Sequence, residues 1–320
     1  MNFSIRDIQE NGLSLVELQD LRNNSRIQIV PTAGALLHLF EVINEGSPIN
    51  IIDNYKDKEE LDASLDRSYK SSKLAPFVCR IPEGKYNWGG VSYEFEHKFM
   101  DGSAIHGLLF NKPFSVVERF IDEEATSIHL RYHYNKDDAG YPFRFNCDIT
   151  YTLGGNNLLQ VETTILNLDD NEIPVADGWH PYFTLGNKVN DCLMRFESDQ
   201  MLEFNKQLIP TGKLLHYPDF LEFKQLGPLF LDNCFLSKAE PEQPVCQFHN
   251  PANGLTLSFY SDGSYPYLQI YTPDHRNSIA IENLSGAPDC YNNGMGLQIL
   301  EPRHSETFNV WYKVDVKQNK

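Results

Sequence analysis

The dominant repeat along this chain of 320 residues is two. Phe143, Phe145, Cys147, Ile149 and Tyr151 alternate with Arg144, Asn146, Asp148 and Thr150. Successive side chains on a strand point to opposite faces, so this stretch predicts a strand with one wet face. Gly154-Gly155-Asn156-Asn157, residue types that tolerate positive φ, come next, and Val161, Thr163 and Ile165 resume the alternation, which predicts a β-hairpin. The pattern returns in Phe308, Val310, Tyr312, Val314 and Val316, while Leu255, Leu257 and Phe259 lead into a turn at Asp262-Gly263. Helical spacing is scarce. Its best instance is Lys56 to Lys70, where Leu61, Leu65 and Tyr69 recur every fourth residue among charges, predicting an exposed helix. No repeat of roughly 20 to 50 residues and no Pro/Gly-rich linker divides the chain. The expectation is one all-β domain over residues 1–320, a large β-sandwich with few short helices.

Charge narrows the partners. With 27 basic against 44 acidic residues the formal net charge is −17, which repels phosphate backbones and anionic lipid surfaces. Nucleic acid and membrane are disfavoured as partners, and a neutral small molecule such as a sugar is favoured. The six cysteines (Cys79, Cys147, Cys192, Cys234, Cys246 and Cys290) form no C-x-x-C pair and read as reduced structural thiols. The opening MNFSIRDIQENGLSL lacks a basic start followed by an apolar run, and no stretch approaches the ~20 apolar residues of a membrane span. A cytoplasmic protein is expected.

A Gly-rich phosphate loop, H-E-x-x-H and G-x-S-x-G are all absent, which disfavours a nucleotide or zinc enzyme. Opening a sugar ring needs neither: a base takes the anomeric hydroxyl proton and an acid protonates the ring oxygen. Two segments offer such groups. In Asp177-Gly178-Trp179-His180-Pro181-Tyr182-Phe183 the proline biases His180 towards an extended backbone, and Trp179 and Tyr182 stand beside it as aromatic surfaces. His180 is the candidate acid, with a core histidine bonded to backbone as the alternative. In Ser278-Ile279-Ala280-Ile281-Glu282-Asn283, Glu282 shares a face with Ala280 and Ser278 at an expected strand end. It is either a carboxylate reaching into a cleft or an ordinary solvated one. His129 and His133 share a face with Arg131, but no partnering carboxylate or third histidine follows at ligand spacing, so a solvated face is expected. Trp88 and Trp311 read as core, whereas Trp179, next to His180, is a candidate sugar platform.

Taken in order, Pro31-Thr32-Ala33-Gly34-Ala35, Leu74-Ala75-Pro76-Phe77-Val78-Cys79-Arg80, Ile105-His106-Gly107, His180-Pro181-Tyr182-Phe183, Leu231-Asp232-Asn233-Cys234-Phe235 and Ile281-Glu282 resemble segments of the aldose 1-epimerase (galactose mutarotase-like) family over most of the chain. The resemblance implies a β-supersandwich with Glu282 as general base and His180 as general acid. It further implies that Arg80, His106, Asp232 and Tyr182 bind the sugar, and that no cofactor is needed. Three positions depart from the commoner family pattern: Cys79 stands where asparagine is frequent before the arginine, the region Phe110 to Phe114 lacks a tryptophan, and Asn283 rather than proline follows Glu282. These point to a divergent branch. Competing readings are a carbohydrate-binding protein without activity, an epimerase of a phosphorylated hexose, which needs an arginine or lysine cluster, and a glycosidase, which needs two carboxylates flanking one bond.

Overall fold

The computed structural model describes residues 2–238, 240 and 242–317. Two large sheets carry the architecture. The nine-stranded sheet runs Ser115–Ile121, Ala125–Asn135, Arg144–Gly154, Leu158–Asn167, Ser305–Asp315, Thr256–Ser261, Cys246–His249, Leu193–Phe196 and Lys224–Gln225. The eight-stranded sheet runs Pro210–His216, Gln200–Phe204, Asp232–Leu236, Tyr267–Tyr271, Ile279–Leu284, Gly178–His180 and Ser72–Leu74, with Tyr182–Phe183 pairing on Ile279–Leu284. The first five strands, Phe3–Glu10 to Ser47–Asn50, form a separate five-stranded meander.

The alternation that begins at Phe145 is realised residue by residue. Along Arg144–Gly154, Phe145, Cys147, Ile149, Tyr151 and Leu153 are buried and the intervening residues are half-buried. The expected hairpin joins this strand to Leu158–Asn167, with the asparagines, not the glycines, in the left-handed region at the turn (φ 58° at Asn156, 57° at Asn157). Aromatic rings meet where the two sheets pack: Phe183 of the eight-stranded sheet lies 5.1 Å from Phe259 and 5.5 Å from Tyr312 of the nine-stranded one, ring centre to ring centre. All six cysteines are buried and free.

Three expectations are corrected. The helix, Lys58–Ser68, capped by the Asp57 side chain accepting from the Glu60 N–H, is not wholly exposed. Leu61, Leu65 and Tyr69 are buried, in a satellite core with Leu13, Leu15, Leu36 and Phe110. Glu282 lies inside the strand Ile279–Leu284, not at its end, and every residue of that strand is buried. His129 does have a carboxylate partner: the register Arg131↔Asp148 brings Asp148 from the neighbouring strand to 2.5 Å from His129 Nε2 and 2.7 Å from Arg131 Nε.

A charged network that sequence reading does not anticipate lies between the sheets. Lys73 and Asp177 are fully buried, with Lys73 Nζ donating to Asp177 Oδ2 and to Thr163 Oγ1 at 2.9 Å. Tyr265 donates to the same carboxylate at 2.7 Å, and the ammonium sits 4.3 Å above the Trp179 ring. Burial drives both ionisable groups towards their neutral forms, while their mutual attraction opposes it. The network ties Ser72–Leu74 and Gly178–His180 to the opposite sheet.

Candidate functional site

On the face of the eight-stranded sheet turned away from the core, a cleft of about 280 Å³ is lined by all six residues singled out above: Glu282, His180, Arg80, His106, Asp232 and Tyr182. Strand alternation decides which neighbours share it. His180 and Tyr182 point into the cleft, while Trp179 and Phe183 point into the core. Trp179 is therefore not a sugar platform. It is 4 % exposed and packs on Lys73 and Tyr151. By the same alternation Glu282 faces the cleft, and Asn283 is buried behind it, where it accepts from Tyr312 Oη at 3.4 Å.

Register brings the rest together. Gln269 stands opposite Glu282 and Tyr271 opposite Asp232, so one intervening strand separates the two carboxylates. Gln269 Nε2 donates to Asp232 Oδ1 at 2.8 Å. Asp232 is thus a strand residue that lines the cleft. Arg80 and His106 are set side by side by a two-stranded ladder in which Ile105 pairs with Arg80 and Ala104 with Ile81. The ladder is flanked by two non-glycine residues in the left-handed region, Cys79 (φ 47°) and His106 (φ 60°), and the His106 N–H donates to the Cys79 carbonyl at 2.8 Å. Such backbone is costly and concentrates at functional sites. Gly107 completes the turn at φ 76°, where a Cβ would stand 2.3 Å from the Ala75 carbonyl oxygen, so only glycine fits. Arg80 also pairs with Asp101 and lies 3.4 Å from Ser103 Oγ.

His180 Nε2 lies 3.5 Å from Glu282 Oε1, and both side chains are less than a tenth exposed. The His180 ring is stacked on Tyr182 (5.1 Å, 18°) and meets His106 edge to face (4.8 Å, 87°); His106 in turn lies 4.7 Å from Tyr69. Burial pushes Glu282 well above the usual carboxyl range, and the Asp232 charge adds to the rise. Burial also lowers His180 to about 4, and it lowers His106 well below the ordinary value, with His180 and Arg80 adding to the effect. In both groups burial favours the neutral form, a protonated carboxyl on Glu282 and an unprotonated imidazole on His180.

Glu282 Oε2, His106 Nδ1, His180 Nδ1, Gln269 Oε1 and Tyr69 Oη are buried with no hydrogen-bonding partner among the described residues. Buried polar atoms are nearly always paired, so this concentration marks a place prepared for a polar ligand. Among the described residues, His106, His180 and Glu282 also form a group that could hold a divalent cation, with one ligand atom each within 4.8 Å of the others. Metal–ligand bonds of ~2.0–2.2 Å would require them to draw inwards. Gln269, Tyr271, Tyr69, Phe204 and Arg67 line the cleft too and were not singled out from sequence. Gln269 left one signal, a lone polar residue within Tyr267–Tyr271 on the face of two tyrosines.

Comparison with known proteins is consistent throughout. A family model described as aldose 1-epimerase matches residues 17–313. An aldose 1-epimerase of Streptococcus thermophilus is 23 % identical over 345 aligned positions, covering 97 % of this chain and 96 % of that protein. Among solved structures, a galactose mutarotase-like protein from Clostridium acetobutylicum superposes with a TM-score of 0.86 at 17 % identity over 99 % of each chain. An aldose epimerase homologue from C. elegans gives 0.81 at 19 %, covering 98 % of this chain and all of that one.

Proposed function

Because the chain belongs to the aldose 1-epimerase family, isomerases that act on carbohydrates, we propose that it interconverts the α and β anomers of a free aldose by acid–base opening and reclosure of the ring. The observation that carries this reading is the adjacent, buried pair of Glu282 and His180 in a cleft that also presents Arg80, His106, Asp232 and Gln269. In the ring-opening step Glu282 takes the proton of the anomeric hydroxyl and His180 gives one to the ring oxygen; the C1–O bond to the ring breaks and the aldehyde forms. That leaves protonated Glu282 and neutral His180, the arrangement burial already favours. After rotation of the aldehyde the proton transfers reverse and the other anomer closes. No proton need come from solvent between the two half-reactions.

Arg80, His106, Asp232 and Tyr182 hold hydroxyls and the ring in this scheme. Arg80→Ala removes a charged donor, and such hydrogen bonds contribute ~1.5–3 kcal/mol. KM should rise roughly tenfold to a hundredfold with kcat changed much less, measured by saturation kinetics. A comparable fall in kcat with KM unmoved would place Arg80 in the chemistry.

The two shifts set the pH dependence. Activity should fall as pH drops through about 4, where His180 becomes charged and Glu282, already driven towards its neutral form, leaves no base. On the alkaline side it is lost as the raised Glu282 gives up its proton. A kcat/KM profile centred on an ordinary, unshifted histidine would contradict this arrangement.

A phosphorylated hexose needs a cationic clamp. The arginines of the cleft are Arg67, exposed at the end of the helix, and Arg80, already tied to Asp101 and facing Asp232. Ring opening is distinguished from isomerisation through a carbon acid by running the reaction in D2O. Exchange between anomers with no deuterium entering at C1 or C2 is expected, and wash-in at carbon would overturn the proposed reaction.

A further inference from the structure

Proton transfer and metal coordination draw on the same lone pairs. His106, His180 and Glu282 each bring one ligand atom within 4.8 Å of the others, and two imidazoles with one carboxylate are a donor set that three-ligand zinc sites use. We propose that these three side chains form a zinc-binding site, and that Zn2+ held there excludes the sugar and arrests the enzyme. The metal is an inhibitor in this scheme and not a cofactor. Binding of the ion stands on the cleft geometry alone, whereas the arrest rests on the reading of Glu282 and His180 as the acid–base pair.

The ligand spacing is close to what the ion needs. A tetrahedral ion with bonds of ~2.0–2.1 Å keeps its ligand atoms about 3.4 Å apart. His180 Nε2 and Glu282 Oε1 already stand at 3.5 Å, leaving His106 as the ligand that has to close in. Three backbone segments hold the set. Glu282 comes from the wholly buried strand Ile279–Leu284, and His180 from the short strand that pairs with it through Gly178 and Leu284. His106 stands at a turn in the left-handed region, fixed by its N–H donating to the Cys79 carbonyl at 2.8 Å.

A second observation points to a cation. Glu282 is 2 % exposed, yet its Oε2 has no partner among the described residues, and His106 Nδ1 and His180 Nδ1 are buried and unpaired beside it. An uncompensated carboxylate in such a place is strongly destabilising, and a bound cation removes that cost. The Asp232 carboxylate lines the same cleft and adds to the attraction, while the Arg80 guanidinium is paired with Asp101. Imidazole nitrogens select zinc over magnesium and calcium, which prefer oxygen ligands. On binding, the proton that burial favours on Glu282 passes to solvent. The bound carboxylate can then no longer take the anomeric proton, and His180 Nε2 can no longer give one to the ring oxygen.

The test is calorimetric titration of Zn2+ into chelator-stripped protein, alongside anomer exchange of glucose and galactose. Wild type should bind one Zn2+ per chain and lose exchange as the site fills, chelation by EDTA should restore it, and Mg2+ and Ca2+ should do neither. Glu282→Gln and His106→Ala should each weaken Zn2+ binding by at least the roughly tenfold to hundredfold that loss of even an outer-shell partner costs. His129→Ala removes the histidine beside Asp148 on the nine-stranded sheet and should leave binding and basal exchange unchanged. Co2+ in place of Zn2+ should give wild type an intense four-coordinate visible band that both cleft variants lack. Binding that survives both cleft variants, or that His129→Ala abolishes, would overturn the site, and Zn2+ bound through the three residues without slowing exchange would overturn the arrest. If no sugar exchanges, the enzymatic reading fails by itself, and the calorimetry and the cobalt spectrum still decide the zinc site.

Discussion

Replacing Glu282 by glutamine should lower enzyme-dependent anomer exchange by roughly 10²- to 10⁴-fold, the range a positioned acid–base group contributes. Glutamine keeps the shape and the hydrogen-bonding capacity of the side chain but cannot take the anomeric proton. Because burial already holds Glu282 towards its neutral form, the carboxamide introduces no new charge problem, and the variant should melt at or above the wild-type temperature. This separates loss of chemistry from loss of fold. His180→Asn should show a loss of similar size, and the double variant should be little worse than either single one, since one proton relay is broken in all three. Independent, multiplying losses would mean that the two residues, 3.5 Å apart, do not act as one acid–base unit.

The largest stability effect should come from the other buried pair. Lys73→Met leaves the Asp177 carboxylate fully buried with only Tyr265 donating to it, and removing one partner of such a pair typically costs ~3–5 kcal/mol. The melting temperature should fall on the order of 10 °C. The double variant Lys73→Met, Asp177→Leu removes the stranded charge and should recover much of the loss, as read by thermal and urea melts. Equal stability of Lys73→Met and wild type would show that the network contributes nothing. Because Asp177 precedes the strand that presents His180 and Trp179 lies within it, the single variant should also lose activity at temperatures where it is still folded.

Much of this architecture is legible in the chain, because one-sided strands advertise themselves. Arg144–Gly154 needs only its alternation to be placed. His180 and Glu282 could be nominated as candidates from their segments, but only the ordered resemblance to the family chose the catalytic reading over a core histidine and a solvated carboxylate. What alternation along one strand does not tell is which face of the sheet is the core. Trp179 looked as available as Tyr182, yet the odd step in Trp179-His180-Pro181-Tyr182 sends its ring to the opposite side. Ile279–Leu284 is buried on both faces, so its end could not be read from polarity, and Glu282 fell inside it. Gln269, Tyr271 and Phe204 depend on cross-strand register and Lys73 on a partner 104 residues away, information that no local pattern carries.

The most direct experiment is polarimetry of freshly dissolved α-glucose and α-galactose at near-neutral pH, with buffer, wild type and Glu282→Gln run in parallel. Relaxation to the anomeric equilibrium that accelerates in proportion to wild-type concentration, and that Glu282→Gln leaves near the buffer rate, is the expected result. Wild-type traces indistinguishable from buffer for every aldose tried, or a Glu282→Gln protein as active as wild type, would contradict the assignment of this cleft to anomer exchange through Glu282.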